Sequence, residues 1–241
     1  MSIATGLLPG RPAERARPAW MDGVLAEWHR MTSRPLARLR RGRLPFAAGS
    51  AGAVLVLWLL QMSSLGTYVV RTLSDVSATT PIHLAIVRLP ASMYASAPNL
   101  PVWGSLLQVF LVFGLAEAWV GWRRTLTVAL AATFVCTLSG RIMCYLGPDT
   151  VVGLPWIEKY VSDTGPSAAV VALVVYLCCV RRAPRTLTVL LTAMVTEVTL
   201  LPNLAGREHV VAIALGLLAA TAVPAIGRVR PHTRSVCRSV R

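Results

Sequence analysis

The sequence predicts an all-α, polytopic membrane protein with six transmembrane helices. Three observations carry this reading. The 241-residue chain is 55% hydrophobic and only 14% charged, with a mean hydropathy of +0.60, too apolar for an ordinary soluble domain of that length. Its apolar residues gather into six stretches with polar joints between them. Its basic residues collect in alternate joints, as they do on the cytoplasmic side of a membrane.

Residues 1–45 are polar and hold nine arginines. They read as a basic cytoplasmic tail, with a brief helix at 24–29 and an arginine-rich end that touches anionic lipid. The basic run Arg34-Pro35-Leu36-Ala37-Arg38-Leu39-Arg40-Arg41 lies too deep in the chain for a signal sequence. Residues 46–226 form the membrane domain. Segment one, 45–65, has no charge and is long enough to span. Residues 66–100 are interrupted by charges and prolines, so they are expected to lie in the interface as short helices. Segment two, 101–121, carries Glu117 near its end, followed by Arg123 and Arg124, with which a structural ion pair is expected. Segments three to six follow at 125–146, 165–180, 186–201 and 209–226. Glu197 stands inside segment five, where an unpaired acid is costly; it can snorkel outward, pair with Arg141 or Arg207, or face a hydrated cavity near Ser167 and His209, and the arginine pair is the expected one. Residues 227–241 are a second basic cytoplasmic tail.

With the N-terminus inside, 19 of the 24 basic residues fall on the inner side. That places both termini in the cytoplasm of a multi-pass cell-membrane protein, and it accounts for the net charge of +14 without nucleic acid. The five cysteines form no C-x-x-C pair or Cys/His cluster and read as free thiols. No Gly-rich phosphate loop, HExxH or internal repeat occurs, so neither a metal nor a cofactor is expected.

The stretch that organises the chain is Asp163-Thr164-Gly165-Pro166-Ser167-Ala168, which opens segment four. Forty-two positions later His209 opens segment six. With one return crossing between them, both segments start from the outer side, so Ser167 and His209 lie at similar depth. A serine beside an imidazole is the minimum for nucleophilic catalysis. Proline suits the first turn of a helix, Thr164 or Asp163 can cap it, and free amides at the start can hold an oxyanion. Ala168, Ala172, Ala212 and Gly216 are small enough to let segments four and six approach closely.

Gly165-Pro166-Ser167-Ala168 on helix four, His209-Val210-Val211-Ala212-Ile213-Ala214-Leu215-Gly216 on helix six and Gly114-Leu115-Ala116-Glu117 on helix two resemble the rhomboid family of intramembrane serine proteases over roughly residues 50–224. The family patterns are G-x-S-x, H-x-x-G-x-x-x-G with Ala212 for the first glycine, and a small-residue turn with a recurrent Glu. The resemblance implies a rhomboid-like fold. It also implies peptidase activity on single-pass membrane proteins, with Ser167 as nucleophile and His209 as base. Where the family has a His and an Asn that serve the oxyanion, this chain has Pro101 and Ser105, with Asn99 nearby. Where it has a tyrosine under the histidine ring, this chain has Val171. Two alternatives therefore stand beside the peptidase: a rhomboid-like pseudoprotease that binds transmembrane clients without cutting, and a small transporter built on Glu197.

Overall fold

A computed structural model of the chain describes residues 18–96, 101–201 and 203–222. They form nine α-helices: α1 (Ala19–Leu39), α2 (Pro45–Leu60), α3 (Ser64–Ser74), α4 (Ile82–Ser92), α5 (Val102–Val120), α6 (Trp122–Leu146), α7 (Ser167–Arg181), α8 (Pro184–Leu200) and α9 (Leu204–Ala222). Helix α7 is apolar on every side, and a helix with no polar face belongs in the interior. Nine of its fifteen residues are buried, from Ala168 to Cys178, and α5, α6, α8 and α9 pack around it. One core cluster joins Ala169, Leu173 and Leu177 of α7 to Val102, Val109 and Phe113 of α5 and Ala47 and Val54 of α2. A second joins Ala168, Val171 and Ala172 to Ala132 and Cys136 of α6 and Ala212 of α9.

Three helices, α5, α6 and α9, are long and apolar enough to cross a membrane. The other three expected spans correspond to shorter helices: α2 with 16 residues, α7 with 15 and α8 with 17. Segment one, expected over 45–65, stops at Leu60. There the Ser63 hydroxyl accepts the Gly66 amide at 3.0 Å and begins α3. The interval expected to hold short helices contains α3 and α4, of 11 residues each. Of the five cysteines, Cys136, Cys144, Cys178 and Cys179 are free thiols, and Cys237 lies outside the described residues.

Two carboxylates fasten helix starts from a distance. Glu117 was expected to pair with Arg123 or Arg124. Instead its Oε1 and Oε2 accept the Phe46 and Ala47 amides, at 3.1 and 2.9 Å, at the start of α2. Helix α2 has no side-chain cap of its own, and a carboxylate at a helix N-terminus satisfies otherwise orphaned donors. Glu27 does the same for α8, accepting the Arg185 amide at 3.2 Å and both the amide and hydroxyl of Thr186 at 2.8 Å.

Glu27 also explains the N-terminal helix. The brief helix expected at 24–29 is a 21-residue helix in the structure, because tertiary contacts extend it on both sides. Glu27, Met31 and Pro35 are buried in one stripe. The Trp119 indole donates to the Met31 carbonyl at 2.8 Å, and the guanidinium groups of Arg34 and Arg181 lie 5.0 and 3.5 Å from the Trp119 ring centre. Helix α8 is attached differently from the rest, since Thr186 is its one buried residue.

Burial pushes the Glu27 carboxyl up, but the hydrogen bonds from Thr186 and Arg185, with the Arg185 charge, outweigh it and hold the group below the usual glutamate range. A depressed carboxyl stabilises the fold above its unfolded value, and that contribution disappears as pH falls through the folded value. Glu27→Gln should therefore cost about 1–2 kcal/mol at neutral pH. It should also remove the acid-dependent part of the loss, measured by thermal unfolding in detergent across pH 3–7.

Candidate active site

The loop before α7 is pinned at two backbone points. The Asp163 amide donates to the Val76 carbonyl at 2.6 Å and the Gly165 amide to the Ser92 carbonyl at 2.9 Å. Between them and the helix the chain turns at Gly165 with φ +122°, a conformation that a side chain disfavours. Pro166 then stands at the cap position, its carbonyl taking the first helical bond from Val170 at 2.8 Å. The expected cap by Thr164 or Asp163 does not form. Asp163 is drawn aside to accept the Thr137 hydroxyl at 2.6 Å. The first-turn amides of α7 thus carry no side-chain cap, and Ser167 lies half-buried among them.

Helices α7 and α9 touch through small residues. Ala168, Ala172 and Ala212 are buried together. A Cβ on Gly216 would stand 2.6 Å from the Ala172 carbonyl oxygen and 2.8 Å from Val175 Cβ, so only glycine fits. Gly216 is therefore level with positions 172–175, an offset of 41 to 44. The same offset puts Ser167 level with 208–211, the turn that holds His209.

His209 is buried on α9. Its Nδ1 lies 2.9 Å from Glu197 Oε2 of α8, and its Nε2 has no hydrogen-bond partner among the described residues. The Ser167 hydroxyl and Nε2 are thus not hydrogen-bonded in this structure. The expected arginine partner of Glu197 is overturned. Arg141 donates to the Ser77 and Thr80 carbonyls, Arg207 donates to the Val151 carbonyl at 2.9 Å, and the carboxylate goes to the imidazole. Both arginines satisfy loop carbonyls that the sequence gives no means of counting.

The remaining candidates divide. Ser105 is buried on the α5 stripe, with Val102, Val109 and Phe113, that packs on α7. Asn99 lies outside the described residues. Pro101 precedes α5 and offers no donor. Val171 is buried in the α6–α7–α9 cluster.

Sequence reasoning missed a second carboxyl group beside the first. Glu208 is buried next to Gly140, where a Cβ would stand 2.6 Å from its Oε1, and it shares a small pocket with Asp163, Thr137 and Arg141. An acid directly before His209, at the head of an apolar run, was the available signal. Among the described residues no group of three or more His, Cys, Asp or Glu is placed to hold a metal. An apolar cavity of about 470 Å³ opens elsewhere, between α1, α5 and α7, lined by Trp28, Leu36, Leu107, Leu111, Val174 and Leu177. Neither Ser167 nor His209 borders it.

Comparison of the chain with protein-family models, with curated proteins and with solved structures finds no match.

Two outcomes follow from this geometry. Gly216→Val should destabilise the protein by about 1–3 kcal/mol through overpacking against the Ala172 carbonyl, read as a lowered Tm in detergent. Burial pushes the Asp163 carboxyl above the usual aspartate range, and hydrogen bonding by Thr137 and Glu208 offsets this only in part. A raised carboxyl stabilises below its unfolded value and loses that contribution as pH rises through the folded value. Asp163→Asn should therefore flatten the alkaline fall in Tm, measured across pH 4–9.

Proposed function

We propose that the chain is a six-span, rhomboid-like membrane protein with both termini in the cytoplasm, and that it hydrolyses peptide bonds of single-pass membrane proteins. Ser167 is the nucleophile and His209 the base. The observation that carries this reading is the α7–α9 contact. It pairs position 216 with 172–175, a register that, carried to the helix starts, matches Ser167 with the His209 turn, and His209 Nε2 has no hydrogen-bond partner among the described residues.

In the proposed reaction His209 Nε2 takes the Ser167 Oγ proton as Oγ bonds to the substrate carbonyl carbon. The uncapped first-turn amides of α7 face the charge that develops on the carbonyl oxygen. The carbon–nitrogen bond then breaks and the amine leaves with the proton from His209. Water, losing a proton to His209, attacks the acyl-serine carbonyl carbon; the carbon–Oγ bond then breaks, Oγ takes that proton back from His209 and the acid product leaves. Catalytic hydrogen bonds are commonly loose before substrate binds, so an open Ser167–His209 pair is compatible with this role.

A second reading is a pseudoprotease that holds transmembrane clients without cutting them. It is favoured by the absence of a donor at Pro101 and by the apolar cavity against α5 and α7, which has room for a few apolar side chains. The two separate on covalent labelling. A fluorophosphonate probe should label Ser167 in the wild-type protein in liposomes, and Ser167→Ala and His209→Ala should abolish the label. A wild-type protein that stays unlabelled while still capturing a single-pass client supports the second reading instead.

A further inference from the structure

The imidazole of His209 is held on one side only. Glu197 Oε2 lies 2.9 Å from Nδ1, and Nε2 has no hydrogen-bond partner among the described residues. We propose that Glu197 is a positioning residue that extends the Ser167–His209 pair into a triad, fixing the ring with its proton on Nδ1 and its lone pair on Nε2. This rests on the peptidase reading and departs from the two-residue arrangement that the rhomboid resemblance implies.

Three observations support it. Glu197 sits in the last turn of α8, where its own carbonyl accepts the closing Leu201 amide at 2.8 Å. A carboxylate there faces the negative end of the helix on an apolar background, so the position is unfavourable unless a donor meets it, and His209 is that donor. Other charged groups at this end have separate engagements. Asp163 takes the Thr137 hydroxyl, Arg141 the Ser77 and Thr80 carbonyls and Arg207 the Val151 carbonyl, while Glu208 lies against Gly140 in the pocket it shares with Asp163, its Oε1 without a partner among the described residues. Among the described residues His209–Glu197 is the one close contact between an acidic side chain and a histidine, lysine or arginine side chain. Finally, Met194, one turn before Glu197 on the same helix, packs on the α6–α7–α9 cluster, so α8 is held at the level where Glu197 meets His209.

In the reaction Glu197 neither gains nor loses a proton. When Nε2 takes the Ser167 proton the ring becomes a cation, and the carboxylate at Nδ1 lies beside the new charge. When the proton passes to the departing amine the ring returns to the tautomer it began with.

The test uses the full chain in liposomes with the fluorophosphonate probe, together with ¹⁵N imidazole shifts of His209. Glu197→Gln should slow Ser167 labelling by about 10²- to 10⁴-fold. It should move the acid limb of the labelling profile to lower pH and erase the single Nδ1–H tautomer in the ¹⁵N spectrum. Glu197→Asp should recover part of the rate and the tautomer. A purely structural tie would lower Tm without moving the pH limb or the tautomer. Labelling that needs Ser167 and His209 but is indifferent to Glu197 overturns this proposal alone. A wild-type protein that never labels overturns the peptidase reading and this proposal together.

Discussion

Gly216 has no side chain, and the Ala172 carbonyl occupies the place where one would begin. That single omission sets the distance between α7 and α9, and the distance sets the level at which their starts meet. Ala168, Ala172 and Ala212 continue the same seam upward. Without an apolar driving force between helices in lipid, close backbone approach through small residues is a principal source of attraction. The seam therefore acts twice. It holds the central helix against its neighbour, and it fixes the register on which the proposed pairing of Ser167 with His209 rests.

Helix α8 shows the opposite strategy. It has one fully buried residue, Thr186, with Leu187 and Met194 half-buried on the two core clusters, and carboxylates secure it near its two ends. Glu27 holds its first amides and its own Glu197 reaches His209. Charge-assisted hydrogen bonds are roughly twice as strong as neutral ones, so a few of them can replace a packed face. The same economy appears at α2, whose start rests on Glu117. Acids are scarce in this chain, ten against 24 lysines and arginines. Three of them are used to bind a backbone end or an imidazole rather than to neutralise arginine.

Much of this architecture was legible in the sequence because it rests on composition and spacing. The apolar runs gave the helices, and the small residues at 168, 172, 212 and 216 gave the α7–α9 seam before any coordinates. Polar partnerships were not legible. Sequence alone pairs Glu117 with Arg123 or Arg124 and Glu197 with Arg141 or Arg207, whereas the structure gives them backbone amides and a histidine. A carboxylate accepts from any donor of suitable geometry, and backbone amides carry no signature in the sequence. The cap at α7 failed for a related reason. Asp163 is in the right place along the chain, but Thr137, on another helix, takes its oxygen. The extent of α1 was hidden too, since its length follows from the docking of Glu27 and Met31 rather than from local propensity.

The bond between Glu27 and the start of α8 joins residues 158 and 159 positions apart. A ribosome makes α1 early, yet the amides that Glu27 needs do not exist until most of the bundle has been translated. Until then a carboxylate destined for the interior has only water or lipid headgroups to bind. The contact of α1 with α5 through Met31 and Trp119 can form earlier, so the Glu27 bond is the last part of α1 docking to close and waits on the arrival of α8.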